Sequence, residues 1–524
     1  MTMRVKMQIY AGALLLFNAH FSEAQRVFYS PIVEDRSMAR FGVAGKAGDY
    51  YWVQEEKWKK NVKHQADSWA NKVQIFEIYD SRMNLVKTVL PPELTDAALK
   101  EYFVAGNRYF DQLLLVAGEK KTVLSLERYT AAGQLVSNRG LVDSFPFNEP
   151  GNNFLLVRSE DKNRILLLGF ESVLSSSPKL HAILFDQDWN RLYYKIYQDP
   201  NITQPLIQDD FFNFPIEHFD NGPVKLANNG QWLMSSPSRT NHNFLLFHFC
   251  GTEPDFSFKE IRLPPSSLME DVAVSVNNEK GEAFAGILSR FRYSALKNVQ
   301  VIHYSMAQQG FDFDSSYRFN TLTGVKVRNE NLTKESFIAV PDAGFMLLKE
   351  YGRKSYESFE EGSDNLWDPA FFFAGNSLPN NGSSFSLNRD AYTRYNSLGG
   401  MRNIYERGDL SLFYLPARPK DSCWSGIINK EQTTELNSPY LSYLVVPVRD
   451  KLFFIYNSFL KREDQFGTTT IIDQQGKLQP DASVIFWKFN NILNFQQSRQ
   501  ISENEVAIPY ENYRRNGFAI IQFN

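Results

Sequence analysis

Cysteine is almost absent from this 524-residue chain, occurring only at Cys250 and Cys423. That scarcity excludes a small fold stapled by disulfides. The two could bridge in an oxidising compartment or remain buried free thiols, and their spacing in the chain decides neither. Charge imbalance is also lacking: 56 Lys and Arg stand against 59 Asp and Glu, a formal net charge of −3. No polyanionic partner such as nucleic acid is indicated. No stretch approaches the roughly 20 apolar residues of a membrane-spanning helix. Helical periodicity is nearly missing, with one short candidate around residues 92–102. The seven histidines are scattered, and no pair has zinc-ligand spacing. No Gly-x-Ser-x-Gly elbow occurs, and no cofactor motif is found.

What is present begins at the N-terminus. Arg4 and Lys6 precede a short apolar core over residues 9–17, and Ser22-Glu23-Ala24 offers small residues where a signal peptidase reads. These features predict an export signal over residues 1–24, cut after Ala24, and a product that is periplasmic or secreted. The remaining residues, 25–524, are long enough to bury a large core. They are rich in aromatics, with 43 Phe and 25 Tyr in the whole chain. Such residues favour pleated, half-buried surfaces.

A hairpin unit recurs along this part. An apolar strand ends at a marker residue, a polar turn follows, and a second strand returns. It is seen at Tyr79-Asp80 with Asn84, at Tyr129-Thr130 with Gly133, at Phe185-Asp186 with Asn190, and at Ile472-Asp473 with Gly476. Asn or Gly at that offset suits the positive φ of a tight, bulged hairpin. Looser copies end at Cys250 and Ser305, and successive markers from Asp80 to Ser305 lie 50 to 64 residues apart. Each unit is preceded by another strand, at residues 113–116, 165–169, 232–234, 283–288, 345–348 and 452–456. Units of three or four strands at this period predict an all-β fold, a single β-propeller. Seven blades fit best, with six or eight open. The final strand, residues 518–523, is expected to pair with residues 27–29 and close the ring, removing exposed edges.

The Ser-Glu-Ala-Gln end of the signal, the hairpin repeats and the stretch from Lys451 to Asn457 leading to Gly476 together resemble uncharacterised secreted β-propeller proteins common in Bacteroidota. The resemblance implies the fold and export, and it brings no catalytic residue.

Candidate chemistry is sparse. Asp186-Gln187-Asp188-Trp189-Asn190 opens like a calcium loop, but Arg191 and Tyr197 stand where Gly and Glu are required, so it reads as a hairpin turn. Asp312 and Asp314 alternate on a strand and could face one cation, or simply flank an exposed hairpin. His248 and His303 occupy matching repeat positions, which points to a shared structural slot. Lys57, Lys59, Lys60 and Lys63 with Trp58 and Trp69 could grip an acidic polymer, yet Glu55 and Glu56 adjoin them, as in a solvated loop. The Ser-x-Asp-x-Gly-x-Thr-Trp box of sialidase-type propellers is missing.

Residues 351–407 break the rhythm with Pro369, Pro379, Asn380-Asn381-Gly382 and Gly399-Gly400, and read as an inserted loop in a late blade. The insertion gathers Tyr356, Trp367, Tyr392, Arg394, Tyr395, Arg402 and Tyr405. Aromatics among planar cations and amides suit stacking on sugar rings or peptides, and long loops on rigid scaffolds often carry function. The expected role is therefore a binding or scaffold module for a glycan, a peptide or an envelope protein. The alternative is a polysaccharide hydrolase or lyase with two carboxylates in the central channel.

Overall fold

The computed structural model describes residues 25–34, 38–58, 72–91, 98–147, 154–171, 178–199, 202–203, 214–237, 244–249, 256–291, 296–320, 334–340, 344–358, 401–418, 422–434, 443–448, 451–459, 465–473, 477–479, 492–512 and 515–523. They form antiparallel sheets and, besides these, a single short 3-10 turn, Phe495–Gln497. Seven sheets are each built from consecutive strands, and an eighth joins the two ends of the chain.

Blade 1 comprises Met38–Ala47, Tyr50–Trp58, Lys72–Tyr79 and Leu85–Val89. Blade 2 comprises Ala98–Ala105, Tyr109–Ala117, Thr122–Thr130 and Leu135–Phe145, and blade 3 Phe154–Arg158, Arg164–Glu171, Lys179–Asp186 and Arg191–Gln198. Blade 4 contains Val224–Leu226, Trp232–Pro237, Phe244–Phe249 and Phe256–Ile261, and blade 5 Ser267–Asn277, Glu282–Phe291, Leu296–Ser305 and Gly310–Asn320. Blade 6 holds Lys334–Val340, Gly344–Ser358, Met401–Pro416, Trp424–Ile428 and Gln432–Thr434, and blade 7 Leu444–Val448, Lys451–Phe459, Gln465–Asp473 and Leu478–Gln479. Blade 8 is the closing sheet: Ile492–Leu493, Arg499–Ser502, Glu505–Asn512 and Arg515–Phe523, edged by Gln25–Tyr29.

The six apolar runs legible in the sequence are the second strands of blades 2 to 7. They are nearly continuous in hydrophobicity because a propeller blade is covered on both faces. The described residues give one apolar core between each pair of neighbouring blades, eight in all, including one between blades 8 and 1 built on Phe41, Tyr51, Val53, Tyr79, Phe518 and Ile520. The ring is therefore a closed β-propeller. The expectation of about seven blades, with eight open, matches the seven contiguous sheets, and the closing sheet brings the ring to eight.

First strands of neighbouring blades pack together around the axis. Closure follows the expected pairing: Val27 lies opposite Ile521, and Tyr29 opposite Ala519. Between blades 1 and 2, Trp52 stacks on Phe110 with ring centroids 3.9 Å apart.

The repeated turn has a specific geometry. In blade 1 the Asp80 carboxylate accepts the backbone N–H groups of Arg82 and Asn84 at 2.8 and 2.9 Å, and the Asn84 amide donates to its other oxygen at 3.0 Å. Asp186 receives Asp188, Asn190 and the Asn190 amide in the same way, each at 2.9 Å. Positive φ falls one residue before the asparagine, at Met83 (63°) and Trp189 (62°), whereas Gly133 takes it in blade 2 (82°). The asparagine is needed as a cap, so the left-handed position passes to a side chain that is buried: Met83 and Trp189 are both core residues. At Gly133 no side chain would fit, because Ile78 of blade 1 occupies the space.

Two expectations are corrected. Of the helix read around residues 92–102, residues 92–97 lie outside the described residues, and the rest is the start of the innermost strand Ala98–Ala105, whose Tyr102, Phe103 and Val104 are buried; burial on both faces overrides the local helical pattern. The inserted region begins as an extension of blade 6. Its middle strands, Gly344–Ser358 and Met401–Pro416, are 15 and 16 residues long and remain paired through Ser358 and Met401.

Candidate functional site

The axial opening is crossed by residues 214–222. Ile216 forms a parallel bridge with Val157 on the innermost strand of blade 3, exchanging backbone hydrogen bonds with Leu156 and Arg158 at 2.8 and 2.9 Å. Phe214 enters the core between blades 1 and 2, and the Arg499 guanidinium of blade 8 lies 4.3 Å from its ring. At the other end, the Asn221 amide donates to the Phe337 carbonyl of blade 6 at 2.5 Å, and the Ala339 N–H donates to Asn221. A segment touching blades 8, 1, 2, 3 and 6 must span the ring's centre.

Glu217 anchors this crossing. It is 4% exposed and accepts Nε and Nη2 of Arg158 at 2.9 and 2.5 Å and Nη2 of Arg499 at 3.3 Å. Burial alone would raise its pKa, but the two guanidiniums prevail and hold it below the usual carboxylate range. Arg158 also donates to the Ala105 carbonyl, and Arg499 to those of Pro215 and Ala44 at 3.1 and 3.4 Å.

The turn after Glu217 closes on Lys225. Its ammonium donates to the carbonyls of His218, at 2.6 Å, and Asp220, and burial lowers its pKa to about 8. The Asp220 carboxylate accepts the Glu217 N–H at 2.8 Å. Burial pushes its pKa up, and burial with nearby Lys225 drives His218 down to about 4.

A second ion cluster sits at the same mouth. Lys46 donates to both oxygens of Glu505 at 2.9 and 2.8 Å, and the carboxylate also accepts Tyr51 and Ser502, each at 3.2 Å.

A further buried acid lies between blades 1 and 2. Glu101 accepts the Gln112 amide at 2.5 Å. Burial, reinforced by Glu56 and Glu127, raises its pKa from 4.5 to about 7. A pKa higher in the folded state means that stability is full below pH 4.5 and is lost as pH rises towards 7. Replacing Glu101→Gln keeps the acceptor for Gln112 and is expected to stabilise the protein at pH 8 by about 3 kcal/mol, with little effect at pH 4.5. Urea unfolding across that range checks it; parallel stability curves for the two proteins would contradict the assignment.

Most residues proposed from the sequence are not brought to this site. Trp367, Tyr392, Arg394 and Tyr395 lie outside the described residues. Tyr356, Arg402 and Tyr405 are on the long hairpin strands, where Tyr356 pairs with Asn403 and Tyr405 with Lys354 in backbone register; their side chains are outside the described set. Residues 1–24, Lys59, Lys60, Lys63, Trp69, Cys250 and Gly476 are likewise outside it. Cys423 is free and exposed. Lys57 is paired with Glu55 at 2.8 Å. Asp312 lies 2.9 Å from His303 Nδ1, while the side chain of Asp314 is outside the described residues. Both oxygens of Asp186 are taken by its own turn. Among the described residues no cluster of His, Cys, Asp or Glu is arranged to hold a metal ion, and no helix is long and apolar enough to cross a membrane.

One cavity adjoins the site and another lies apart from it. One, of about 10 Å³ beside Arg108, Arg158 and Lys162, holds no more than a water molecule. The other is a groove of about 320 Å³ on the rim between blades 1 and 2, lined by Lys87, Val89, Leu90, Tyr129 and Leu135.

No known family and no curated protein matches the chain. Among solved structures it is similar to the WD40 domain of SCAP from fission yeast, at 10% identity and a TM-score of 0.39, covering 95% of this chain and 98% of that one. It is also similar to the β-propeller domain of the Trilobed protease from Pyrococcus furiosus, at 10% identity and a TM-score of 0.33, covering 89% and 100%. An oligogalacturonate lyase in complex with manganese matches at 6% identity and a TM-score of 0.34, covering 96% and 98%. Likeness at this level says nothing about activity.

Proposed function

We propose that the chain is a binding propeller of the cell envelope or its exterior, recognising a glycan, peptide or envelope protein, rather than a hydrolase working in its channel. The observation carrying this reading is the crossed axial opening. A glycosidase needs two carboxylates about 5 to 10 Å apart facing the sugar, one able to give up or take a proton. Here Glu217 is bound by two guanidiniums and Asp220 by a backbone N–H. Blade 6 supports the second half of the reading. Its middle strands, Gly344–Ser358 and Met401–Pro416, outrun the remainder of their blade and flank in sequence the aromatic segment 359–400.

Retention of the chain on immobilised glycans and envelope extracts, with no new reducing ends, is the expected result. The triple variant Trp367→Ala, Tyr392→Ala, Tyr395→Ala should lose retention while its melting temperature stays within a degree or so. Unchanged retention would remove the insertion from the binding surface. Polysaccharide cleavage that survives purification would favour catalysis.

A further inference from the structure

Lys162 occupies a place where a glycine is expected. It sits in the first hairpin turn of blade 3 with a φ of 61°. Its N–H donates to the Ser159 carbonyl, as the N–H of Gly230 donates to Ala227 in blade 4. Gly230 has a φ of 91°, and Gly281, in the first turn of blade 5, one of 62°. A left-handed backbone disfavours any residue with a Cβ, and such outliers recur at functional sites.

The turn is also firmly held. Asp161 accepts Ser159 Oγ at 2.6 Å and the backbone and amide N–H groups of Asn163 at 3.0 and 2.9 Å. Its carbonyl accepts Asn107 of blade 2, and its N–H donates to Asn228 of blade 4, both at 3.2 Å. Lys162 is thus displayed from a fixed platform.

The charges around it do not balance. Lys46, Arg158 and Arg499 lie close enough to interact electrostatically with the Lys162 ammonium. The carboxylates in this cluster are three: Glu217, shared by both arginines, Glu505, paired with Lys46, and Asp220, which accepts the Glu217 N–H and lies within the field of Arg499; Lys225 is a fifth cation beside Glu217 and Asp220. Glu160, next in the turn, is engaged by the Asn278 amide at 2.6 Å and lies 3.7 Å from His218. Among the described residues no hydrogen bond or ion pair holds the Lys162 ammonium.

We propose that this mouth of the axial channel binds a compact oxyanion, a carboxylate or phosphate group, with Lys162 as its direct partner and Lys46, Arg158 and Arg499 supplying the field. Five cations around three carboxylates leave room for an incoming negative charge, and a charge-assisted hydrogen bond to it would complete the lysine's contacts. Burial and the three neighbouring cations lower the pKa of Lys162 to about 8, which agrees with a cation awaiting an anion. The adjoining cavity is too small for the ligand, which would instead meet the half-buried lysine where its side chain reaches solvent. This proposal does not depend on the hairpin of blade 6.

The test is thermal denaturation and calorimetric titration of the protein with inorganic phosphate and, separately, with glucuronate, against sodium chloride at equal ionic strength. At least one should raise the wild-type melting temperature saturably. Phosphate alone would point to a phosphate group, glucuronate alone to an acidic sugar, and both to the shared oxyanion chemistry. Lys162→Gly should weaken the effective anion about tenfold or more. Without anion, the same variant should melt a few degrees higher than wild type, because strain and like-charge repulsion are both relieved. Lys162→Gln, which keeps the side chain, should lose the anion effect too. No anion-specific response in the wild type, or an undiminished response in both variants, overturns the proposal.

Discussion

A chain shortened by residues 515–524 is expected to be recovered only as unfolded or aggregated protein. The strand Arg515–Phe523 contributes Phe518, Ile520, Ile521 and Phe523, each no more than 1% exposed, to the cores on both sides of blade 8. Burying each such side chain stabilises by about 1.5 to 3 kcal/mol. The four together approach the entire stability of a typical domain, about 5 to 15 kcal/mol. The deletion also strips Glu505–Asn512 and Gln25–Tyr29 of their common partner. Removing residues 25–34 instead should be tolerated better, because Val27, Phe28 and Tyr29 are only half-buried. Soluble yield, circular dichroism and melting of the two truncations decide the matter; a cooperative transition in the first would refute closure by this strand.

Glu217→Ala should cost about 3 to 5 kcal/mol, the usual penalty for leaving buried charge uncompensated. Two guanidiniums depend on that carboxylate, and the crossing segment depends on both. Replacing all three as Arg158→Met, Glu217→Leu, Arg499→Met should recover most of the loss, since apolar groups of similar size can substitute for a buried ionic cluster. Chemical denaturation of both variants gives the comparison. Equal stability of the single variant and wild type would show that the crossing is held by Phe214, Ile216 and Asn221 alone. The low pKa of Glu217 adds a sign: its contribution is present above the ordinary carboxylate pKa and is lost as pH falls below it.

The fold was legible because its signals are local. Asp80 with Asn84 and Asp186 with Asn190 are caps closed within five residues, and looser versions of the turn, on Thr130 and Asp473, mark blades 2 and 7. Ring closure was legible from an apolar strand at each end. Turn chemistry misled in one respect. Asparagine was assigned the left-handed backbone that Met83 and Trp189 take, because its amide is committed to the aspartate. The stretch near residue 98 looked helical through its Ala, Leu and Lys content, and only burial against two neighbouring blades makes it a strand. The axial site could not be read. Arg158, Glu217 and Arg499 are far apart in sequence, and residues 214–222, with Pro215 near their start and Pro223 just beyond their end, carry the composition of an ordinary loop. Lys162 left a faint trace, a charged residue at the turn position that blades 4 and 5 give to glycine, visible only once the blades are superposed in register.

The clasp in blade 8 has a consequence for the order of events during synthesis. Gln25 pairs with Phe523, so the first strand made waits for the last. At about 5 to 20 residues per second that delay is on the order of a minute. Throughout it, the flank of blade 1 carrying Phe41, Tyr51 and Val53 has no neighbour to cover it. Nascent chains therefore pass through a sticky open arc, and the step that ends this vulnerable period joins strands about 500 residues apart. Holding the early strands apart from other chains during that interval is a task for chaperones, and slow ribosomal elongation would lengthen the exposure rather than help.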